Sequence, residues 1–423
     1  MRKNAARFGP SFLTFATILV CLYSPTVQGL GQEVSTTSTE SKPIPIEHLG
    51  TGIFSTLPFK VSLSLGVGYD DNVTSSTFGG QGSAYTNGSI AVTYDFGSPR
   101  TRLSLGVGAG GSYYWDNVRS VGGNTNNYDI NDHVSFSLTH KVTPRLTLST
   151  QNYLTYQTEP DFSVSQGINR RGGNYLFTSD KFIGSYLWTP RFSTATSYTF
   201  TALNYDDMAI GQFDDQFQNE FGNEFRFLIW PTTSIVAEYR MQIVSYVHDS
   251  LRDSTSQFVL GGFEHSFSPR LNVAIRGGGQ FVEYDQGASQ NSPYFEGTLT
   301  YTVGKRTTVT WTDRYSIEQA DVALNQGRKT FRTGLSAKHD FTARITGSLG
   351  AYYTHDDYQG TNSPVGVSPG FTEESLDMAL SLRYAITRYL GVEAGYNYTD
   401  ISSDIPFRAY TRNRYWGGLN VTF

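Results

Sequence analysis

The sequence holds a single cysteine, Cys21, among 423 residues. That excludes a disulfide scaffold and a cysteine-ligated metal site. Charge is scarce at 16 % of residues, and no basic stripe is present, which argues against nucleic acid as a partner. Beyond the N-terminus no apolar run is long enough for a helical span. Mean hydropathy is -0.34, a value that by itself looks soluble. A membrane strand escapes that test, because residues facing water dilute those facing lipid.

What is abundant is aromatic residues, at 14 %, together with 43 glycines and 28 tyrosines. From Phe59 to the last residue one unit repeats: a strand, a tight turn, a strand, then a longer polar loop. The turns are Ser98-Pro99-Arg100, Thr143-Pro144-Arg145, Thr189-Pro190-Arg191, Trp230-Pro231-Thr232, Ser268-Pro269-Arg270, Gly304-Lys305-Arg306, Thr342-Ala343-Arg344 and Thr387-Arg388-Tyr389. They recur roughly every 40 residues, the length of one long hairpin plus one loop. Proline presets φ and ends pairing, which suits a turn and not a ladder.

Within the strands apolar residues alternate with small or polar ones. Phe59, Val61, Leu63, Leu65, Val67 and Tyr69 share one face, and Lys60, Ser62, Ser64, Gly66 and Gly68 the other. Leu376, Met378, Leu380, Leu382 and Tyr384 repeat the pattern late in the chain. Counting such segments predicts an all-β fold: a transmembrane antiparallel barrel of about 18 strands, with 16 within one hairpin's error. The short turns are expected to be periplasmic, and the loops near 71–84, 117–127, 159–174 and 359–372 extracellular. Tyr69, Tyr113, Trp115, Tyr156, Tyr205, Tyr246, Tyr284, Tyr315, Tyr353 and Tyr398 are expected in an outer aromatic girdle, and Trp188, Trp230, Phe192 and Tyr389 in an inner one.

Three segments precede or make up the whole. Residues 1–29 read as a signal peptide, with Arg2, Lys3 and Arg7 before an apolar stretch from Phe12 to Tyr23. Removing it takes the formal net charge from -5 to about -8. Residues 30–58, rich in Ser and Thr with Pro43 and Pro45, read as a flexible periplasmic segment, too short for a plug domain. Residues 59–423 are the barrel. Tyr415, Gly417, Leu419, Val421 and Phe423 resemble the alternating C-terminal signal read by barrel-assembly machinery, which implies a Gram-negative-type outer membrane.

Strand parity places charges of both signs inside: Glu224, Arg226, Glu238, Arg240, Glu264, Arg276, Glu296, Arg332, Lys338, Arg383, Glu393 and Arg414. On the lipid face Arg or Lys would cost about 2–4 kcal/mol at mid-depth. These residues are pore-lining candidates, either as a mutually neutralising ladder or as a constriction with a transverse field. His355-Asp356-Asp357 and His248-Asp249-Ser250 lie at strand ends, and adjacency alone builds no triad, so no enzyme is expected. The acidic pairs Asp70-Asp71, Asp206-Asp207, Asp214-Asp215 and Asp356-Asp357 offer oxygen ligands for divalent cations bridging lipopolysaccharide, but no EF-hand spacing exists. No cofactor and no dedicated metal site are expected.

Gly66-Val67-Gly68-Tyr69-Asp70-Asp71-Asn72-Val73 resembles a recurring opening of outer-membrane β-barrel porins, some of which accompany exopolysaccharide gene clusters. The resemblance implies a barrel that passes small hydrophilic solutes, sugars among them. It leaves open a part in surface-polysaccharide export, or a structural or adhesive barrel with a closed lumen. Expected partners are outer-membrane lipid and lipopolysaccharide, the assembly machinery, the solute or polysaccharide, and further copies of the chain.

Overall fold

The structure, a computed structural model, describes residues 59–116, 127–160, 173–248, 250–286, 289–322, 325–363 and 366–423. The expected signal peptide and N-terminal segment lie outside the described residues, as does most of the loops at 117–127 and 159–174.

Strands account for most of the chain. They are β1 (Phe59–Asp70), β2 (Ser83–Gly97), β3 (Thr101–Tyr114), β4 (Tyr128–Lys141), β5 (Leu146–Gln157), β6 (Tyr175–Thr189) and β7 (Phe192–Tyr205). There follow β8 (Gln216–Trp230), β9 (Thr233–Tyr246), β10 (Ser254–Ser268), β11 (Leu271–Tyr284), β12 (Gln290–Val303), β13 (Thr307–Gln319), β14 (Gly327–Asp340) and β15 (Ile345–Tyr358). A small hairpin, β16 (Thr361–Ser363) and β17 (Gly366–Ser368), sits in a loop before β18 (Phe371–Ala385), β19 (Leu390–Ser403) and β20 (Tyr410–Thr422). Among the described residues a short α-helix, α1 (Met208–Asp214), lies between β7 and β8, and a 3-10 turn (Ser250–Arg252) between β9 and β10.

Apart from the small hairpin, the strands form one 18-stranded antiparallel sheet, each paired with its sequence neighbour. β1 closes it against β20, from Ser62↔Thr422 to Asp70↔Arg414. A closed barrel leaves no backbone edge unpaired in lipid. The strand number is the one expected from the sequence.

The tight turns owe their shape to the residue that opens them. Ser98, Thr143, Thr189, Ser268, Thr342 and Thr387 each accept, through the side-chain hydroxyl, backbone N–H groups two and three residues later. The hydroxyl thus satisfies donors that no strand partner can reach. Gly304 opens a turn without a hydroxyl and instead takes φ +65°, which glycine allows without strain.

The interior is a lumen and not an apolar core. Buried apolar side chains form small groups, three at the outer end (Val73, Tyr85 and Tyr114; Val282, Tyr284 and Ile317; Ala320, Tyr358 and Phe371) and one deeper on β10 and β12 (Phe258, Leu260 and Tyr294). Here the girdle expectation needs correcting. Tyr246 and Tyr284 are buried, and Tyr205 shares the lumen-facing parity of the buried Thr201. Loops folded over the mouth give these three rings an internal surface that the sequence pattern does not reveal. Tyr69, Tyr113 and Trp115 are exposed on the outside as expected, and so are Trp188, Trp230 and Tyr389 at the inner end.

β13 also departs from a regular ladder. Its pairing with β12 stops at Phe295↔Tyr315. Beyond that point the Gln280 side chain takes over, accepting from the Ile317 N–H at 2.7 Å and donating to its carbonyl at 2.9 Å. The outer end of β13 is thereby drawn inward against Val282 and Tyr284.

Candidate functional site

The lumen wall from β8 to β12 carries a continuous ion-pair lattice. Arg276 on β11 stands at its centre and meets four carboxylates: Glu224 at 2.7 Å, Glu238 at 3.2 Å, Glu264 at 3.2 Å and Glu296 at 3.4 Å. Arg226 bridges Glu224 at 2.8 Å and Glu264 at 2.9 Å. Arg240 bridges Glu238 at 2.5 Å and Glu296 at 2.7 Å, and donates to the Tyr294 hydroxyl at 3.2 Å. Register explains the contacts. Glu224 lies opposite Glu238 across β8–β9, and Arg276 opposite Glu296 across β11–β12. Like charges placed side by side require a guanidinium from a further strand, and the planar fork of Arg reaches two carboxylates at once.

The lattice continues upward at the neighbouring strands. Arg314 pairs with Glu318 on β13. Arg328 on β14 pairs with Asp356 on β15 at 3.1 Å and donates to the Tyr358 hydroxyl at 3.0 Å.

Across the lumen the wall is of another kind. In an 18-stranded closed sheet β10, β11 and β12 lie opposite β1, β2 and β3. There the inward positions are Ser62, Ser64, Gly66 and Gly68, then Asn87, Ser89 and Ala91, then Gly106, Gly108 and Gly110. Ser64 and Ser89 share a hydrogen bond of 2.6 Å. The Tyr85 ring lies over Gly68 and the His133 ring over Gly108, while Ser62, Ser64, Ser89 and Ala91 present small side chains to the lumen.

Loops cross the outer mouth. Arg252, almost fully buried, donates to the carbonyl of Phe213 at 2.6 Å and to that of Ala320, and lies over the Tyr246 ring at 4.3 Å. It also pairs with Asp214 at 3.3 Å. Burial pushes the Asp214 carboxyl up to about 6, against the pull of Arg252 and with the push of Asp321. Arg408 joins Glu373 at 2.8 Å and Asp321 at 3.2 Å. Arg412 of β20 joins the buried Asp70 of β1 and reaches Glu159, beyond β5, at 2.7 Å. The mouth is thus tied by charged pairs that run between distant strands.

Of the pore-lining candidates, Glu224, Arg226, Glu238, Arg240, Glu264, Arg276 and Glu296 meet in the one lattice. Arg332 is buried between Arg314 and Thr354 in register. Lys338 stands toward the periplasmic end, opposite Thr308 and Ser348. Arg383 and Glu393 face each other on β18 and β19, and Arg383 donates to Asn420 at 2.9 Å. Arg414 lies apart from all of these, 3.4 Å from Asp70 and over the Tyr85 ring. Sequence reasoning did not single out Arg314, Glu318 or Arg328, although strand parity marks them inward as it marks Arg332. It did not find Arg252, Arg408 or Glu159, whose loop positions carry no periodic signal.

The acidic pairs are consumed otherwise than as cation ligands. Asp70 belongs to Arg412 and Asp356 to Arg328. Among the described residues no group of three or more His, Cys, Asp or Glu is placed to hold a metal ion. His355 and Asp356 point to opposite faces of β15, His355 to Glu374 on the outer rim at 3.2 Å. Asp249 of the other His-Asp pair lies outside the described residues.

A family profile described as putative beta-barrel porin 2 matches residues 51–423. The chain belongs to that family. It is therefore an outer-membrane protein of a Gram-negative-type bacterium, a porin-like channel and a transport protein. No curated protein sequence matches. Among solved structures, the outer membrane protein OpdK of Pseudomonas aeruginosa is 12 % identical, with 86 % of this chain and 99 % of that one covered at a TM-score of 0.42. OccAB4 of Acinetobacter baumannii is 11 % identical, with 87 % and 99 % covered at 0.43. The siderophore receptor PirA of Pseudomonas aeruginosa is 7 % identical, with 86 % and 80 % covered at 0.40.

Proposed function

We propose that the barrel passes small hydrophilic solutes of little net charge, sugars among them, along the passage between its two unlike walls. The observation that carries this reading is the lattice centred on Arg276, in which every carboxylate is met by a guanidinium. With four carboxylates against three guanidiniums the wall keeps only about one net negative charge, too little for a strong barrier to either sign of ion. It still presents a dense array of donors and acceptors to hydroxyl groups. The opposed Ser positions add hydroxyls.

The test is planar-bilayer conductance of the refolded chain, joined to liposome swelling with sugars of increasing size. The expected result is ohmic steps with weak preference between cation and anion, and swelling with mono- and disaccharides. Absence of both from protein shown to be folded by its heat-dependent gel mobility overturns the reading.

A second reading is favoured by the tied loops at the mouth. Arg252, Arg408 and Arg412 hold segments from distant strands together. Such a mouth suits a conduit opened by partners, as in surface-polysaccharide export. Deletion of the gene with loss of surface polysaccharide, and conductance appearing only when the loop pairs are removed, supports it over the passive pore.

A further inference from the structure

The lipid-facing side of the barrel is mostly apolar, with exposed Leu105 and Val107 on β3 and Leu380 and Leu382 on β18. One sector differs. On β5 the outward positions include Thr150 and Asn152, between the exposed Leu148 and Leu154. On β6 they include Thr178 and Asp180, between the exposed Leu176 and Phe182. On β7 Thr194, Thr196 and Tyr198 take the same side, and on β8 Asn219 and Asn223 alternate with the exposed Phe217, Phe221 and Phe225.

These groups are joined. Asn152 donates to Asp180 at 2.6 Å and accepts from Thr150 at 2.8 Å. Thr178 donates to the other Asp180 oxygen at 3.3 Å. Asn223 accepts from Thr196, and Asn219 from the Tyr198 hydroxyl, each at 2.8 Å. The side-chain oxygens of Asn219 and Asn223 are thus used, while their side-chain NH2 groups make no hydrogen bond among the described residues.

Depth makes this costly. Leu176 pairs with Tyr156 at the outer girdle, and Trp188 marks the inner one. Asp180 lies four residues inside Leu176, about 10 Å deeper on a tilted strand, in an apolar band about 25 Å tall. Acyl chains offer neither donor nor acceptor to a carboxyl or an amide. Asp132 and Asp313 also take outward positions, but singly, and the backbone N–H of Gly110 occupies Asp132 at 3.2 Å.

We propose that the outward face of β5–β8 is an interface with a second copy of this chain, the two barrels related by a two-fold axis along the membrane normal near β7. The argument is complementarity. Such an axis lays β6 of each barrel against β8 of the other. Asp180 lies five residues below the outer end of β6, and Asn219 and Asn223 lie three and seven below that of β8. The carboxyl of one copy then falls at a depth between two amides of the other whose N–H groups are unused. An isologous contact of this kind closes on itself and removes all these groups from lipid together. The interface is independent of which solute passes.

The experiment uses the full chain in outer membranes. In a Cys21→Ser background, Thr196→Cys on β7 is expected to form a disulfide-linked dimer on mild oxidation. Leu380→Cys on β18 is expected to form none. Asp180→Leu, and separately Asn223→Leu, should reduce the Thr196→Cys cross-link at least tenfold while leaving the heat-dependent gel mobility of a folded barrel. Asp180→Asn, which keeps one acceptor oxygen and turns the other into an NH2 that the Thr178 hydroxyl can accept from, should retain most of it. A monomeric mass for the native chain in detergent, or equal cross-linking through Leu380→Cys, overturns the proposal. So does a trimeric mass without a Thr196→Cys cross-link, or co-purification with a different protein that this substitution displaces.

Discussion

The two walls of the lumen are made of the same strand geometry and nearly opposite chemistry. From β8 to β12 large charged side chains interlock across five strands around Arg276. From β1 to β3 the corresponding positions are Ser, Gly and Asn, with little to interlock. Burying a charge without a partner costs several kcal/mol, so charges in a lumen persist only as sets. The charged wall is therefore interlocked and nearly balanced, four carboxylates against three guanidiniums, while the opposite wall carries mostly small uncharged side chains. On the proposed reading, selectivity by sign is expected to stay weak as long as both walls stay as they are.

The largest effect on this contrast is expected from Arg276→Met. It leaves four carboxylates sharing two guanidiniums. The loss is about 3–5 kcal/mol of stability, read as a lower heat-modification temperature. The cation over anion permeability ratio, read from reversal potentials in a salt gradient, should rise on the order of tenfold. An unchanged reversal potential would mean that solutes do not pass this wall.

Ser64→Glu sharpens the comparison from the other side. A carboxylate placed there stands beside Asn420, to which Arg383 donates, and is neutralised only in part. A shift toward cations of about twofold is expected, larger at low salt. No shift would place the conducting path away from β1.

At the mouth the sign of a pH effect follows from Asp214. Its carboxyl is raised to about 6 in the packed loops, mainly by burial, with Arg252, Asp321 and Asp215 as its charged neighbours. The packed arrangement therefore holds the proton more tightly than a loosened one. That stabilisation is full below about pH 4 and is lost as pH rises through about 6, a difference of about 2–3 kcal/mol. Conductance should fall between pH 7 and pH 5, and Asp214→Asn should flatten the profile. A fall that survives Asp214→Asn assigns the gating elsewhere.

The smallest effect concerns the turns, which serve both walls alike. Thr342→Ala removes the hydroxyl that accepts from the N–H groups of Arg344 and Ile345. A cost of about 0.5–1 kcal/mol is expected in urea unfolding, with conductance unchanged.

The strands and turns were legible because their signals are local. Period two separates a lipid face from a lumen face in β1 or β18 without reference to any neighbour, and Ser or Thr before Pro-Arg marks a turn through its own hydroxyl. The same parity put Arg276 and Glu296 inside. It could not tell that Arg276 would touch Glu224, 52 residues earlier and three strands away. Nor could it warn that Asp180 breaks the rule and stands on the lipid face.

By itself, then, the sequence determined that this chain is a closed barrel of long hairpins and which face most residues of strands such as β1 and β18 take. Alternation and turn chemistry act over a few residues and need no partner. Only the tertiary structure decided which charges meet, which loops tie the mouth, and that one outer sector is polar. Those facts depend on register between strands and on loops that return across the barrel, and both are set by closure of the whole sheet.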